Sequence, residues 1–249
     1  AIEYLREKGL ASAAKKAGRI AAEGMVNAYI SDDKHVGVLA EVNCETDFAA
    51  KNPDFQQFAT EVTKLIADQA PADLESLAAL KLADGKKVSD KVNELISTIG
   101  ENITVRRFSR LEVAGERLVD SYIHLGGKIG VLIQAQIGKA ATASNPEFLT
   151  FVKDLAMQVA AAKPDYLTRD QVPAAVLEEE KAIYKAQAVN EGKPEAIAEK
   201  ITFGRVEKFY KEVCLIEQVF IKDNTKTIAK LLQELNGVLG DTIVINNFV

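Results

Sequence analysis

The sequence predicts an α+β fold: two related strand–strand–helix core subdomains with an inserted antiparallel helical hairpin. Three observations carry that expectation. A block of text recurs at one fixed offset. Inside each block, β-rich runs flank a turn and give way to Asn-Pro and a helical period. Late in the chain, two polar helical stretches meet at Glu191-Gly192-Lys193-Pro194.

The elements follow in order. Ala1 to Leu10 has a helical pattern that starts without a cap, and residues 1–22 are expected to form a helical linker. Lys15, Lys16 and Arg19 read as its solvated face. Core subdomain N is expected over residues 23–113. Its first copy of the repeat holds Tyr29-Ile30, Val36-Gly37-Val38-Leu39, Asn52-Pro53-Asp54-Phe55 and Phe58. The second copy stands 93 residues on, without a gap: Tyr122-Ile123, Ile129-Gly130-Val131-Leu132, Asn145-Pro146-Glu147-Phe148 and Phe151. Residues 31–35 and 124–128 are the turns of two hairpins. Each Asn-Pro starts a helix with Pro in its first turn. Phe55, Phe58, Val62, Leu65 and Ile66 fall at helical spacing, as do Phe148, Phe151, Leu155 and Val159. Between the copies, a helical stretch is expected from about Asp73 to Thr98, with Gly100 as its C-cap. A strand is expected over Ile103 to Val113.

Core subdomain C is expected in two parts, 114–172 and 213–249, with the hairpin inserted at 173–212. The hairpin's apolar residues are sparse: Val176, Ile183, Tyr184 and Val189 on one arm, Ile197, Ile201, Val206 and Phe209 on the other. That stripe is too thin for a core and suits a projecting arm or a coiled-coil contact with a second chain. Strand-like text is expected over Val213 to Ile221, a helix over Thr225 to Asn236, and a last strand from Asp241. The uncapped start and the abrupt last strand read as a fragment trimmed at both ends.

Composition excludes more than it assigns. The net charge of −5 argues against a nucleic-acid-binding surface, which wants a cationic excess. No apolar run approaches the length of a membrane helix. Cys44 and Cys214 have neither disulfide-framework nor metal-ligand spacing and read as small buried residues, which favours a reducing, cytoplasmic compartment. No phosphate loop, dinucleotide fingerprint or nucleophile elbow is present; Gly126-Gly127-Lys128 sits in a hairpin turn. The two histidines, His35 and His124, fall in the hairpin turns. No catalytic set, metal site or cofactor is expected. A binding protein is the better class, against a small enzyme acting through Cys44 or His124 and against a purely structural dimer.

The two copies agree where they pack and differ between strand and helix. The first has Cys44-Glu45-Thr46-Asp47-Phe48; the second has Ile137-Gly138-Lys139-Ala140-Ala141. A duplicated scaffold can spend such a loop on function. Two readings of the segment stand side by side. In one, Thr46 or Asp47 caps a helix and Phe48 packs back on its own domain. In the other, Phe48 is an aromatic carried outward on a polar tip.

Thr46-Asp47-Phe48-Ala49-Ala50-Lys51 resembles the Thr-Asp-Phe-Val-Ala-Lys signature of the bacterial elongation factor Ts family. Supporting matches are Ala14 to Arg19, Glu41 to Cys44, Ile99-Gly100-Glu101-Asn102-Ile103 with Arg106-Arg107, Tyr122-Ile123-His124, Gly127 to Val131, and Gly192-Lys193-Pro194. They run from end to end. Ala49 stands where many members have Val, and Lys128 where others have Arg. The resemblance implies a cytoplasmic, non-enzymatic guanine nucleotide exchange factor that binds elongation factor Tu–GDP and promotes GDP release by disturbing the magnesium and phosphate site. It implies a wedge made of Thr46, Asp47 and Phe48, with further partner contacts at Ile99, Gly100, His124, Ile221 and Lys222. It also implies dimer contacts through the hairpin, and an N-terminal helical domain and a C-terminal module beyond this sequence.

Overall fold

A computed structural model describes residues 10, 11 and 13–249. The expected helical opening at Ala1, and with it the first part of the 1–22 linker, lies outside the described residues. The chain divides into two compact units, residues 1–135 with Val249, and residues 136–248.

In the first unit, β1 (Glu23–Ile30) and β2 (Val36–Cys44) pair antiparallel, with Ile30 opposite Gly37 and Glu23 opposite Cys44. Ser31 closes the turn: its hydroxyl accepts from the Val36 N–H at 2.8 Å. Strand β3 (Thr104–Glu112) adds to the free side of β2, so the sheet runs β1-β2-β3. A bulge interrupts this second ladder between Glu41 and Val42. One helical turn, α1 (Asp47–Ala50), leads into α2 (Pro53–Gln69). The Asn52 side chain accepts from the Asp54 N–H at 2.9 Å and so caps α2. The helix buries Phe55, Phe58, Val62 and Ile66 in one cluster with Val38, Ala40 and Val42 of β2. Each such side chain contributes about 1.5–3 kcal/mol of burial.

The single helical stretch expected over Asp73 to Thr98 is two helices, α3 (Leu74–Ala79) and α4 (Val88–Ile99). Between them Lys81 and Lys87 bridge across a turn at Asp84-Gly85, where Gly85 has φ +82°. Asp-Gly is a strong turn former, and it overrides the helical period here. Leu82, on the turn, is buried and holds it to the core.

Strands β4 (Arg117–His124) and β5 (Ile129–Gln136) form the second hairpin of the repeat. The two hairpins pack on each other through the repeated glycines. A Cβ on Gly37 would run into Val119, and a Cβ on Gly130 would run into Val26. Val26 and Val119 are themselves counterparts in the repeat, so the contact is reciprocal. Leu39, Val119 and Leu132 form the buried centre of this packing, with Val26, Ile30, Leu111 and Ile123 around it.

The second unit begins with a 3₁₀ turn (Ala140–Ser144) and α5 (Pro146–Ala162). Asn145 caps α5 as Asn52 caps α2, accepting from the Glu147 N–H at 2.8 Å. The two helices also end alike: Ala70 and Lys163 are both left-handed C-caps, at φ +46° and +47°. Helices α6 (Ala174–Asn190) and α7 (Glu195–Val213) form the expected antiparallel hairpin, turning at Gly192 with φ +78°. Their buried residues are only Ala188, Ala198 and Val206. At its base, the Arg169 guanidinium joins Glu207 of α7 to Glu217 and lies over the Tyr210 ring, 4.5 Å from its centroid.

Two expectations need correction beyond the hairpin. Val213 to Ile221 is not one strand: α7 runs through Val213, a 3₁₀ turn follows (Leu215–Glu217), and β6 (Val219–Phe220) has two residues. The helix expected from Thr225 starts later, because β7 (Asp223–Thr227) precedes it. Alternating Thr225 and Thr227 suit a strand. Thr227 then caps α8 (Ile228–Leu239) by accepting from the Lys230 N–H at 3.3 Å. Strand β8 (Val244–Phe248) follows.

Candidate functional site

The segment after β2 forms a polar tip that carries an exposed aromatic. Thr46 is extended (φ −127°, ψ 157°) and its hydroxyl oxygen accepts from the Ala49 N–H at 3.3 Å, so it is the N-cap of α1. That half of the capping alternative holds. The packed Phe48 does not: its side chain is 80% exposed, while Ala49 behind it is buried. An exposed Phe at a helix start keeps its apolar area available for another surface.

The tip's charges are arranged around Asp47. Its carboxylate accepts from the Lys51 ammonium at 2.8 Å, one turn on. That bond holds the Asp47 carboxyl below the usual carboxylate range, and Lys128 adds to the effect. Lys51 also stands 6.0 Å from the centroid of the Phe48 ring. Lys128 pairs with Glu23 of β1, which raises its own pKa. The turn before Lys128 is tied to β1 as well, since the Val26 N–H donates to the Gly127 carbonyl at 2.7 Å. His124, at the end of β4, is half-buried, and its Nδ1 is hydrogen-bonded to the Tyr122 hydroxyl at 2.8 Å.

Ile99 and Gly100 reach the tip through their neighbour. Ile99 ends α4 and packs against the first unit's core. Gly100 is the left-handed C-cap of α4 at φ +88°, with its N–H on the Ile96 carbonyl at 3.1 Å. The chain turned by Gly100 delivers Glu101 to the base of the tip. One Glu101 oxygen accepts from the N–H groups of Glu45 at 3.0 Å and Thr46 at 2.9 Å. The other accepts from the Thr46 hydroxyl at 2.6 Å. Glu45 answers in the opposite direction, accepting from the Asn102 N–H at 2.6 Å. The Asn102 side chain donates to the Arg19 carbonyl at 2.8 Å. Sequence reading gave Glu45, Glu101, Asn102 and Lys51 no role. Lys51 was findable as an i,i+4 partner of Asp47. Glu101 was not, since its partner Thr46 lies 55 positions away in sequence.

Ile221 and Lys222 belong to the second unit, where they form the turn between β6 and β7. Ile221 is 47% exposed, and its N–H donates to the Gln158 side chain at 2.8 Å. Gln158 is buried and also donates to Gln218 at 3.0 Å and to the Val219 carbonyl at 3.2 Å. Lys222 pairs with Asp154 of α5 at 2.7 Å. The turn is therefore rigidly backed while its apolar residue points out.

The two thiols are buried, as the sequence predicts, and burial pushes each up to about 11. Cys44 spends its proton on the Thr46 carbonyl at 3.2 Å. A protonated, buried thiol is a poor nucleophile. His35 is half-buried beside Asp33 and the Gly115 carbonyl. Among the described residues no helix is long and apolar enough to cross a membrane.

Comparison with known proteins gives one answer along the whole chain. A family model described as elongation factor TS matches residues 45–249. The chain is 50% identical over 249 residues to elongation factor Ts of Clostridium perfringens, covering all of this chain and 80% of that protein. It is 51% identical over 252 residues to elongation factor Ts of Clostridium kluyveri, with the same two coverages. To elongation factor Ts of Symbiobacterium thermophilum it is 46% identical over 249 residues, again covering 80% of the relative.

Proposed function

The chain belongs to the elongation factor Ts family, and from that premise we propose that it is a guanine nucleotide exchange factor. In this reading it binds elongation factor Tu–GDP in the cytoplasm during translation elongation and promotes GDP release. The observation that carries the reading is Phe48, exposed on a capped tip beside Asp47.

GTPases of this kind hold nucleotide with a phosphate loop and a magnesium ion bridging the phosphates. In the proposed mechanism Phe48 enters the partner as a wedge and Asp47 is brought to the magnesium's surroundings. Magnesium demands near-ideal octahedral geometry, so a small displacement of its ligands weakens it. Loss of the cation leaves phosphate charge uncompensated and speeds release.

Magnitudes require more than the wedge. Factor and nucleotide weaken each other's binding by the same factor. A weakening of about 10⁴ needs about 5.5 kcal/mol of differential binding. One buried Phe supplies about 1.5–3 kcal/mol. The reading therefore assigns further contacts to Ile99, Gly100, His124, Ile221 and Lys222. The exposure of Ile221, on a turn backed by Gln158, supports its place in that set.

The test is release of a fluorescent GDP from elongation factor Tu across a magnesium series. The expected result is acceleration by this chain that falls roughly 10- to 100-fold in Phe48→Ala, the loss equivalent to burying one Phe. Unchanged exchange in that variant would remove the wedge.

A second surface is proposed for self-association. Ile183, Val189, Ile197 and Phe203 are exposed on α6 and α7, which suits pairing of the hairpin with a second copy. Sedimentation across a concentration series should show a dimer that Phe203→Ser and Ile183→Ser weaken; a monomer at every concentration would count against it.

A further inference from the structure

We propose that Glu101 is a positioning residue for exchange, setting the placement of the Thr46–Phe48 tip against the Ile99–Gly100 corner. The proposal rests on the exchange reading above and names what holds its wedge in place.

The argument starts from where the sheet stops. The last pair of the β2–β3 ladder is Asn43 with Thr104. Beyond it the chain leaves the sheet on both sides, as residues 45–48 after β2 and 99–102 before β3. Side chains then join the two segments. Glu101 takes three hydrogen bonds from Glu45 and Thr46, and Glu45 takes one from Asn102. Bonds to a carboxylate are shorter and stronger than bonds between neutral groups.

What they hold is a short element. Helix α1 has four residues, a single turn, and an isolated turn of helix is unstable. Buried Ala49 anchors it to the first unit's core, and its start is fixed by its N-cap, Thr46, the residue that Glu101 grips by both backbone and hydroxyl. Phe48 follows two residues later and is 80% exposed, so the core does not fix it. The direction in which Phe48 points therefore depends on Glu101 as well as on the buried Ala49. Because Gly100 and Ile99 immediately precede Glu101, the same carboxylate fixes the spacing between two of the proposed contact patches. A partner that must be met at both patches at once is met only while that spacing holds.

Three substitutions separate the possibilities. Glu101→Ala removes every acceptor. Glu101→Asp keeps the charge but stops one methylene short. Glu101→Gln keeps an oxygen for the two N–H groups and a nitrogen that can donate to the Thr46 hydroxyl oxygen. If the untethered tip is competently placed a tenth of the time, stimulated GDP release at limiting factor falls about tenfold. The expected result is that loss in Glu101→Ala and Glu101→Asp, with Glu101→Gln close to the parent. In a Phe48→Ala background, Glu101→Ala should add less than it costs alone, because the Phe48 ring is gone and only Asp47 remains on the tip to be positioned. Normal exchange in Glu101→Ala, or a full additional loss in the Phe48→Ala background, overturns the proposal and leaves the exchange reading standing. Normal exchange in Phe48→Ala removes the wedge and this proposal with it, whereas no acceleration by the parent chain takes down the exchange reading itself. Should Glu101→Ala fail to fold, the contrast between Asp and Gln, read with circular dichroism on each, decides the same question.

Discussion

Asp47 and Lys51 make the proton state of the tip measurable. Both side chains are largely exposed, so the pair adds little to stability. Its direction is nevertheless defined. The Lys51 hydrogen bond lowers the Asp47 pKa from its ordinary value of 3.8. A carboxylate with a depressed folded pKa stabilises the fold above its unfolded value, and that contribution is lost as pH falls through the folded value. The pair is thus formed at neutral pH and lost in acid, below the ordinary carboxylate value. Carbon-detected NMR titration of Asp47 should give a midpoint below 3.8, moving upward in Lys51→Met; a midpoint that ignores Lys51 would mean that the pair is absent in solution. Phe48 shows how far residue-scale reading goes. Its place between strand and helix was legible as text, but its exposure was not, because an aromatic beside a helix start fits a staple as readily as a tip.

Elements were legible where local chemistry decides them. Asn-Pro fixed the start of both repeat helices, and the structure repeats even their caps. Asn52→Ala and Asn145→Ala should each lower stability by about 1 kcal/mol, and by similar amounts, since both side chains cap in the same way. Gly100 offers a cleaner test of backbone strain. A Cβ there would meet nothing, yet φ is +88°. Gly100→Ala should therefore cost about 1–2 kcal/mol from backbone conformation alone, visible as a lower denaturation midpoint with an unchanged slope. The hairpin's base provides a third. Arg169→Ala removes the link from α7 to Glu217, and amide exchange should rise in α6 and α7 while α2 is unaffected; equal change in both would point to a global effect. Where the structure departs from the sequence pattern, a stronger local signal prevails. Asp84-Gly85 split the expected helix, and the Thr225–Thr227 alternation delayed another.

At the scale of the molecule, the repeat announced itself at its fixed offset, but what the repeat was for could not be read. Pattern gave each copy a packed layer; it did not say that the glycines of the two hairpins face each other's valines. That depends on contacts between residues far apart in sequence, as does the meeting of Glu101 with Thr46. Gly37→Ala and Gly130→Ala should each destabilise by about 1–3 kcal/mol through overpacking, on opposite sides of one contact. Shortening the facing valine in each case, Val119→Ala and Val26→Ala respectively, should recover part of the loss. Thermal unfolding of the single and double variants measures both effects, and additive losses would mean that the facing pairs do not interact.

The reciprocal packing has a consequence for stoichiometry. Contacts in which one residue meets a second, and the second's counterpart meets the first's, are what a two-fold axis generates between identical subunits. Here the axis is approximate and runs inside one chain. Two identical copies on a true axis would present the same loop twice, and so offer two tips to one partner or bind two partners. Joined in one chain, the copies could keep their symmetric packing while their loops diverged, one into Cys44–Phe48 and the other into Ile137–Ala141. Among the described residues, the broken symmetry leaves one such tip.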